Sequence, residues 1–132
     1  MKRRKRSDKT KARNRNDRVW SEIVRVRDGG CIIGDVECAG YLNAHHLIPR
    51  QRRATRWELD NGVTLCAKHH VFDSALSAHG APLAFAEWLQ ANLPGRWEYA
   101  QAHKGDELEW KETLEWIEQE HRRLLEEREK MQ

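Results

Sequence analysis

Three cysteines and one histidine have spacings that suit a metal site. Cys66 and His69 are separated by two residues at the start of a predicted helix, where a turn and the first helical turn bring both side chains to one point. Cys31 and Cys38 are separated by six residues, and a Gly-Asp pair in the middle makes an expanded loop feasible. The four side chains predict a structural zinc site; the alternative is three buried free cysteines, which behave as small hydrophobes.

A second group of residues suits hydrolysis of a phosphodiester. That reaction needs a base to deprotonate water and a cation to offset charge on the transition state and the departing 3' oxygen. His45 and His46 are adjacent in a predicted strand, so one can face a metal ion while the other reaches the attacking water. His70, from the helix predicted after the next strand, lies close enough to complete the metal site. Taken alone, the His45-His46 pair has a simpler interpretation, as two partly exposed polar residues at the end of a strand.

Two short strands and a helix are predicted to position these side chains. Residues 41–48 suit a strand closed by Pro49, and residues 63–65 suit a second strand after the Asn61-Gly62 turn signal. Residues 67–76 predict a short helix directly after the second strand. The order of elements is therefore strand, strand, helix.

Further helices are predicted on both sides of this unit. Residues 17–28 suit a helix capped by Asp17, and residues 83–93 suit another that ends where Pro94-Gly95 breaks the chain. Residues 106–131 predict a long amphipathic helix with several charge pairs. The six tryptophans are interpreted mainly as packing residues of these helices.

The composition indicates one small domain with appendages. The chain has 132 residues, of which 39% are hydrophobic and 34% are charged. No apolar run approaches the roughly 20 residues of a bilayer span, and the basic N-terminus has no hydrophobic stretch behind it. We therefore expect a soluble, unexported protein, in which the cytosol would keep the cysteines reduced.

Charge is distributed unevenly along the chain. Residues 1–18 carry ten Lys or Arg against two Asp, whereas residues 106–132 carry ten acidic residues against five basic ones. Residues 1–16 also lack large apolar side chains after the initiator Met, so we expect a flexible basic arm there, a core over 17–80 and a helical extension over 81–132. A basic arm beside a balanced core favours nucleic acid as the partner over a membrane surface.

The two histidine-bearing segments together resemble the HNH endonucleases of phages and bacteria. The resemblance is carried by the cysteine pair, by AHHLIPR at 44–50 and by LDNGVTLCAKHH at 59–70, and it covers roughly residues 28–75. It implies a small α+β protein with a zinc-stabilised ββα-metal core, treble-clef-like, that cleaves DNA. The expanded loop between the cysteines and the histidine at position 69, where the family usually has Cys, depart from the common pattern.

The resemblance also implies a role for each site residue. His46 would be the general base, and His45 and His70 would bind one catalytic divalent metal. Asn61 would hold the loop between the strands and orient His46. A third protein ligand stays open between Asp73 and His79. Because imidazole nitrogen suits transition metals, we expect Mn²⁺, Ni²⁺ or Co²⁺ to serve alongside Mg²⁺.

Four arginines between the strands predict contacts with a DNA backbone, since guanidinium groups match phosphate geometry. They are Arg50, Arg52, Arg53 and Arg56. The expected partner is double-stranded DNA in the cytoplasm of a bacterial host, and the resemblance adds a phage packaging terminase as a partner. The alternative to the nuclease is a zinc-stabilised DNA-binding module without catalysis, and an RNA or general phosphodiester substrate is a third class.

Overall fold

The computed structural model describes residues 7–132 and shows a small α+β fold in which helices pack around a two-stranded antiparallel sheet. The helices are α1 (Asp8–Asp28), α2 (Pro82–Asn92), α3 (Pro94–His103) and α4 (Leu114–Lys130), and the strands are β1 (Leu42–His46) and β2 (Gly62–Cys66). A short helical turn, Leu59–Asn61, precedes β2, and a wider one, Lys68–Phe72, follows it.

The sheet pairs the histidine strand directly with the strand that ends at Cys66. Leu42 lies opposite Cys66 and His46 lies opposite Gly62. Gly62 packs against α1, because a Cβ at this position would stand 2.6 Å from the ring of Trp20 and 2.7 Å from Val24. A residue without a side chain is therefore needed where β2 crosses the helix.

Helix α1 begins nine residues earlier than predicted, so the expected flexible arm over residues 1–16 is wrong for the described residues of that segment. The side chain of Ser7 caps the helix by accepting the Thr10 N–H at 3.1 Å. Ala12 and Asn16 are buried, and the Asn16 amide donates to the Ile117 carbonyl at 2.9 Å. Ala12 and Asn16 thus contact α4, while the half-buried Arg13 and Arg15 pair with Glu112 and Glu118. Residues 1–6 lie outside the described residues.

Helix α4 shares the main core with α1 and begins later than predicted. Ile117 and Leu124 are fully buried in the cluster that also contains Trp20 and Ile23. The helix starts at Leu114 instead of residue 106, because the Thr113 hydroxyl accepts the Trp116 N–H at 3.1 Å and caps it there. The C-terminal helix is therefore packed against the first helix of the chain.

Two further predictions differ from the structure near the middle of the chain. The helix expected over 67–76 is a single turn, Lys68–Phe72, because Asp73 accepts the N–H groups of Ala75 and Leu76 and closes a separate turn. Pro94 does not break the chain but starts α3, since proline is tolerated in the first helical turn.

The buried amide of Asn16 gives a test of the contact between α1 and α4. We expect Asn16→Ala to lower the free energy of unfolding by about 1–3 kcal/mol, because it removes a buried hydrogen bond and leaves a small void. Exposed Lys11, on the same helix, should change the free energy by less than about 0.5 kcal/mol when replaced by alanine. Urea unfolding measures both, and equal effects would contradict the packing of residues 8–16.

Candidate functional site

The three cysteines and His69 converge on one point, as their spacing predicted. The Nδ1 atom of His69 lies 3.7 Å from the Cys31 sulfur, 3.5 Å from that of Cys38 and 3.2 Å from that of Cys66. All four ligand atoms lie within 4.8 Å of one another. Three thiols and an imidazole in this arrangement could hold a structural metal ion such as zinc. We call these four residues the cysteine cluster.

The expanded loop between Cys31 and Cys38 is shaped by Gly34 and Asp35. Gly34 adopts a left-handed conformation with φ of 60°. The Asp35 carbonyl accepts the Cys38 N–H at 3.2 Å, and its carboxylate lies 3.4 Å from Nε2 of His69. A carboxylate at this nitrogen favours a proton there and leaves Nδ1 free to face the sulfurs. Asp35 is therefore placed to orient the imidazole, and the same carboxylate oxygen accepts the Glu37 N–H at 2.8 Å.

Two of the thiols differ in acidity. Burial, together with a hydrogen bond to Cys31, raises the pKa of Cys38 to about 11. Burial also opposes ionisation of Cys66, but hydrogen bonds from the backbone of His69 and Ala39 outweigh it and lower the pKa of Cys66 to about 7. Cys66 is therefore more ready than Cys38 to bind a cation as thiolate at neutral pH.

Three histidines form a second cluster on the neighbouring side of the sheet. His45 Nδ1 lies 3.3 Å from His70 Nε2, and the ring of His79 lies 5.1 Å from that of His45 and 4.7 Å from that of His70. One nitrogen from each ring lies within 4.8 Å of the others. We call His45, His70 and His79 the histidine cluster.

Asp73 and His79 were the two candidates for a third ligand. The structure places His79, and not Asp73, beside His45 and His70. The His79 N–H donates to the His70 carbonyl at 2.9 Å, and the Ala78 N–H donates to the His69 carbonyl at 2.9 Å. These bonds fold residues 78–79 back onto the turn after β2. The Asp73 carboxylate is used locally, and its hydrogen bonds from the Ala75 and Leu76 backbone lower its pKa.

Two members of the histidine cluster, His45 and His70, are held in their neutral form. Burial, followed by the nearby His70, His79 and His46, lowers the pKa of His45 to about 3. Burial and then the charge of His79 lower the pKa of His70. Neutral imidazoles keep a lone pair for a cation, so His45 and His70 can bind a metal ion at neutral pH.

His46 points away from its neighbour and is fixed on two sides. Its ring stacks on Trp20 at a centroid distance of 3.9 Å and an angle of 10°. Its Nε2 lies 2.9 Å from the Arg56 carbonyl, which can only accept, so the proton is on Nε2 and Nδ1 is the basic nitrogen. Burial lowers the pKa of His46 and outweighs the hydrogen bond to Arg56, which raises it. The ring is therefore a neutral base.

One cavity joins the histidines. Its volume is about 530 Å³, and its lining includes His45, His46, His70, His79 and the exposed Arg50. His46 and the histidine cluster are therefore part of the lining of one cavity.

Asn61 is fully buried and holds both ends of the segment between the strands. Its Oδ1 accepts the Ile48 N–H at 2.7 Å, and its Nδ2 donates to the carbonyls of Ile48 and Thr55 at 3.0 and 3.1 Å. The amide thus replaces backbone pairing across a loop of irregular structure.

The four arginines of this segment are less available than predicted. Arg56 is 11% exposed and binds Asp17 through two hydrogen bonds, so it is a structural residue, contrary to the expectation of a DNA contact. Arg53 forms an ion pair with Glu112, and Arg52 lies 3.6 Å from Glu107. Within residues 7–132, Arg50 is the member of the four that has no ion pair.

Sequence reasoning missed three residues that position the candidate site. Asp17 was interpreted as a helix cap, but it binds the loop behind His46. Trp20 is a packing residue, as interpreted, but it also stacks on the His46 ring. Asp35 was noted as part of a loop, yet its carboxylate faces His69. Contacts between such distant residues leave no spacing signal, and only a charged or aromatic residue on the buried side of a helix hints at them.

The contact between Asp35 and His69 leads to a prediction for the cysteine cluster. We expect the protein, after a chelator wash that removes weakly held ions from other sites, to contain about one zinc ion per chain, and Asp35→Asn to weaken its retention about 10–100-fold, because the orienting carboxylate is lost. Glu37→Gln is the matched control, since Glu37 lies in the same loop and pairs with Lys68. Competition with a chromogenic chelator measures retention; a zinc-free protein would contradict the prediction.

Burial of neutral His45 makes a prediction for stability against pH. With a folded pKa of about 3 against about 6.5 when unfolded, His45 takes up its proton mainly on unfolding, so stability falls as pH drops below 6.5. At pH 5 the expected contribution is a loss of about 2 kcal/mol. His45→Gln should flatten this part of the profile in urea unfolding without added divalent cation, whereas parallel profiles would contradict the burial.

No helix in the described part of the chain combines the length and hydropathy that crossing a bilayer requires. Comparison of the chain with protein-family models, with curated proteins and with solved structures finds no match. The resemblance to HNH endonucleases therefore depends on the residue pattern alone. The geometry of the two clusters is a separate observation.

Proposed function

We propose that this chain is a metal-dependent endonuclease of the HNH type that hydrolyses DNA phosphodiester bonds. One observation carries the proposal: His46, fixed as a neutral base, lines the same cavity as three histidines whose nitrogens converge. A base for water and a site for a cation are the two requirements of phosphodiester hydrolysis. The pattern of residues that resembles the family contributes His45, His46, Asn61 and His70 to this arrangement.

In the proposed reaction the chain supplies the base and the positioning. His46 accepts a proton from the attacking water at Nδ1, and the Arg56 carbonyl holds the proton already on Nε2. His45, His70 and His79 would hold the divalent cation, which when bound offsets negative charge on the phosphate and the leaving oxygen. Asn61 keeps the loop that carries the Arg56 carbonyl in place.

The donor set bears on the choice of cation. Three imidazole nitrogens favour transition metals such as Mn²⁺, Ni²⁺, Co²⁺ or Zn²⁺, whereas Mg²⁺ prefers oxygen ligands and keeps several waters. The residues present therefore fit a transition metal better than Mg²⁺.

The cysteine cluster is proposed to bind zinc as a structural ion in a ββα-metal core. It contains Cys66 at the end of β2 and His69 in the turn that follows, so a metal there would fix the segment that presents His70. A small core gains much from such an ion, since structural zinc contributes directly to folding.

DNA binding is proposed to use the arginines between the two strands that, within the described residues, are unpaired or only weakly paired with a carboxylate. Arg50 lines the cavity and is exposed. Arg52 is also exposed, and its partner Glu107 is on the surface, where ion pairs are weak and screened by salt. These side chains suit phosphate contacts, which position a duplex without reading its sequence.

The test is cleavage of supercoiled plasmid with Mg²⁺, Mn²⁺, Ni²⁺, Co²⁺ and Zn²⁺ in turn. We expect nicking or linearisation by the wild type, and a fall of about 10²–10⁴-fold in rate for His46→Gln, because the general base is lost. DNA affinity should be retained. His103→Gln is the matched control, since His103 is an exposed histidine at the end of α3 that pairs with Asp106 and does not line the cavity of His46.

A wild type that binds DNA but never cuts it with any of these metals would favour the alternative, a zinc-stabilised DNA-binding module without catalysis. If His46→Gln cleaves plasmid as fast as the wild type, His46 is not the general base, although the chain would still be a nuclease. Cleavage of RNA at the same rate as DNA would replace the substrate by phosphodiesters in general.

A further inference from the structure

Helix α1 contributes a carboxylate to the loop behind His46. Asp17 accepts three hydrogen bonds: from Nε of Arg56 at 2.9 Å, from Nη2 of Arg56 at 2.6 Å and from Nε1 of Trp57 at 2.8 Å. The pair with Arg56 is bidentate, which fixes direction as well as distance. Two consecutive residues of the loop are thus tied to one side chain of the helix.

The residue held in this way is the one whose carbonyl meets the His46 ring. The Arg56 carbonyl accepts the Nε2 proton of His46 at 2.9 Å. Trp20, three residues after Asp17 and therefore on the same side of α1, stacks on the ring at 3.9 Å. One turn of the helix thus controls both the plane of the imidazole and the position of its proton.

Asn61 alone does not fix the Arg56 carbonyl against the His46 ring. Its amide holds the carbonyls of Ile48 and Thr55, so the loop is anchored just before Arg56. The direction of the following carbonyl depends on how residues 56 and 57 are held, and Asp17 binds the side chains of both. Arg53 lies in the same loop and pairs with Glu112. Unlike the Asp17–Arg56 pair, this pair does not include the residue whose carbonyl accepts the His46 proton.

We propose that Asp17 is a positioning residue for His46: through Arg56 and Trp57 it holds the carbonyl that keeps the imidazole in its Nε2–H form, with Nδ1 as the base. The part that concerns cleavage rests on the proposed function. The positioning itself is a property of the folded chain. Asp17 lies outside residues 28–75, the stretch that resembles the HNH family. On this proposal α1 therefore contributes a residue that positions His46, in addition to packing against the sheet.

The test compares Asp17→Asn with the wild type in protein labelled with ¹⁵N-histidine. The asparagine keeps the shape, but its amide oxygen is a weaker acceptor and its NH₂ group opposes a donor. We expect exchange of the His46 Nε2 proton with water to become at least about tenfold faster, because its acceptor is no longer fixed. With an active wild type, kcat should fall about 10–100-fold at unchanged KM, the range found for outer partners of functional histidines.

Glu22→Gln is the matched control. Glu22 is also a carboxylate of α1 paired with an arginine, Arg128 at 3.2 Å, but the pair lies on the surface shared with α4. A role for Asp17 in stability alone would give both variants the same proton exchange at His46. Urea unfolding of both variants accounts for any difference in stability.

Unchanged proton exchange at His46 in folded Asp17→Asn would overturn the proposal. If Asp17→Asn does not fold, Arg56→Lys replaces it: the variant keeps the charge and the backbone carbonyl but loses the bidentate pair, and unchanged exchange there is equally decisive. Faster exchange in a protein whose wild type cuts no DNA would sustain the positioning role while the nuclease proposal fails.

Discussion

The stacking of His46 on Trp20 joins the hydrophobic core to the candidate site. Trp20 is 1% exposed and belongs to the cluster built from α1, α4 and Trp57. Its ring also faces the place where β2 has Gly62, so the sheet can approach the helix only because that residue has no side chain. The orientation of the imidazole therefore follows from packing of the whole domain, and the site inherits the rigidity of a close-packed interior.

The alternation of side chains along β1 separates the two functions proposed for adjacent histidines. His45 faces the turn after β2, where it meets His70 and His79, while His46 faces α1. Burial depresses the pKa of both. A strand makes this division at no conformational cost, since neighbouring residues point to opposite faces by construction.

Local spacing was enough to predict the two strands, the convergence of the three cysteines with His69, and the proximity of His45 to His70. Each of these depends on residues a few positions apart or on a turn signal such as Asn61-Gly62. The choice of His79 over Asp73 depended on backbone hydrogen bonds to residues 69 and 70, and the early start of α1 on burial of Asn16 against Ile117. The pairing of Arg56 with Asp17 joins residues 39 apart, which no local pattern encodes. Composition favoured a solvated arm and a free basic loop for the same reason: it counts charges but not their partners.

His69 and His70 are consecutive in sequence but belong to different clusters. The two candidate metal sites are thus connected through one peptide unit, which would couple their occupancies if both bind a cation. A cation bound by the cysteines would restrict the backbone that presents His70, so it would raise the affinity of the imidazoles for their own cation. By reciprocity, an ion among the imidazoles would tighten the thiolate site by the same factor.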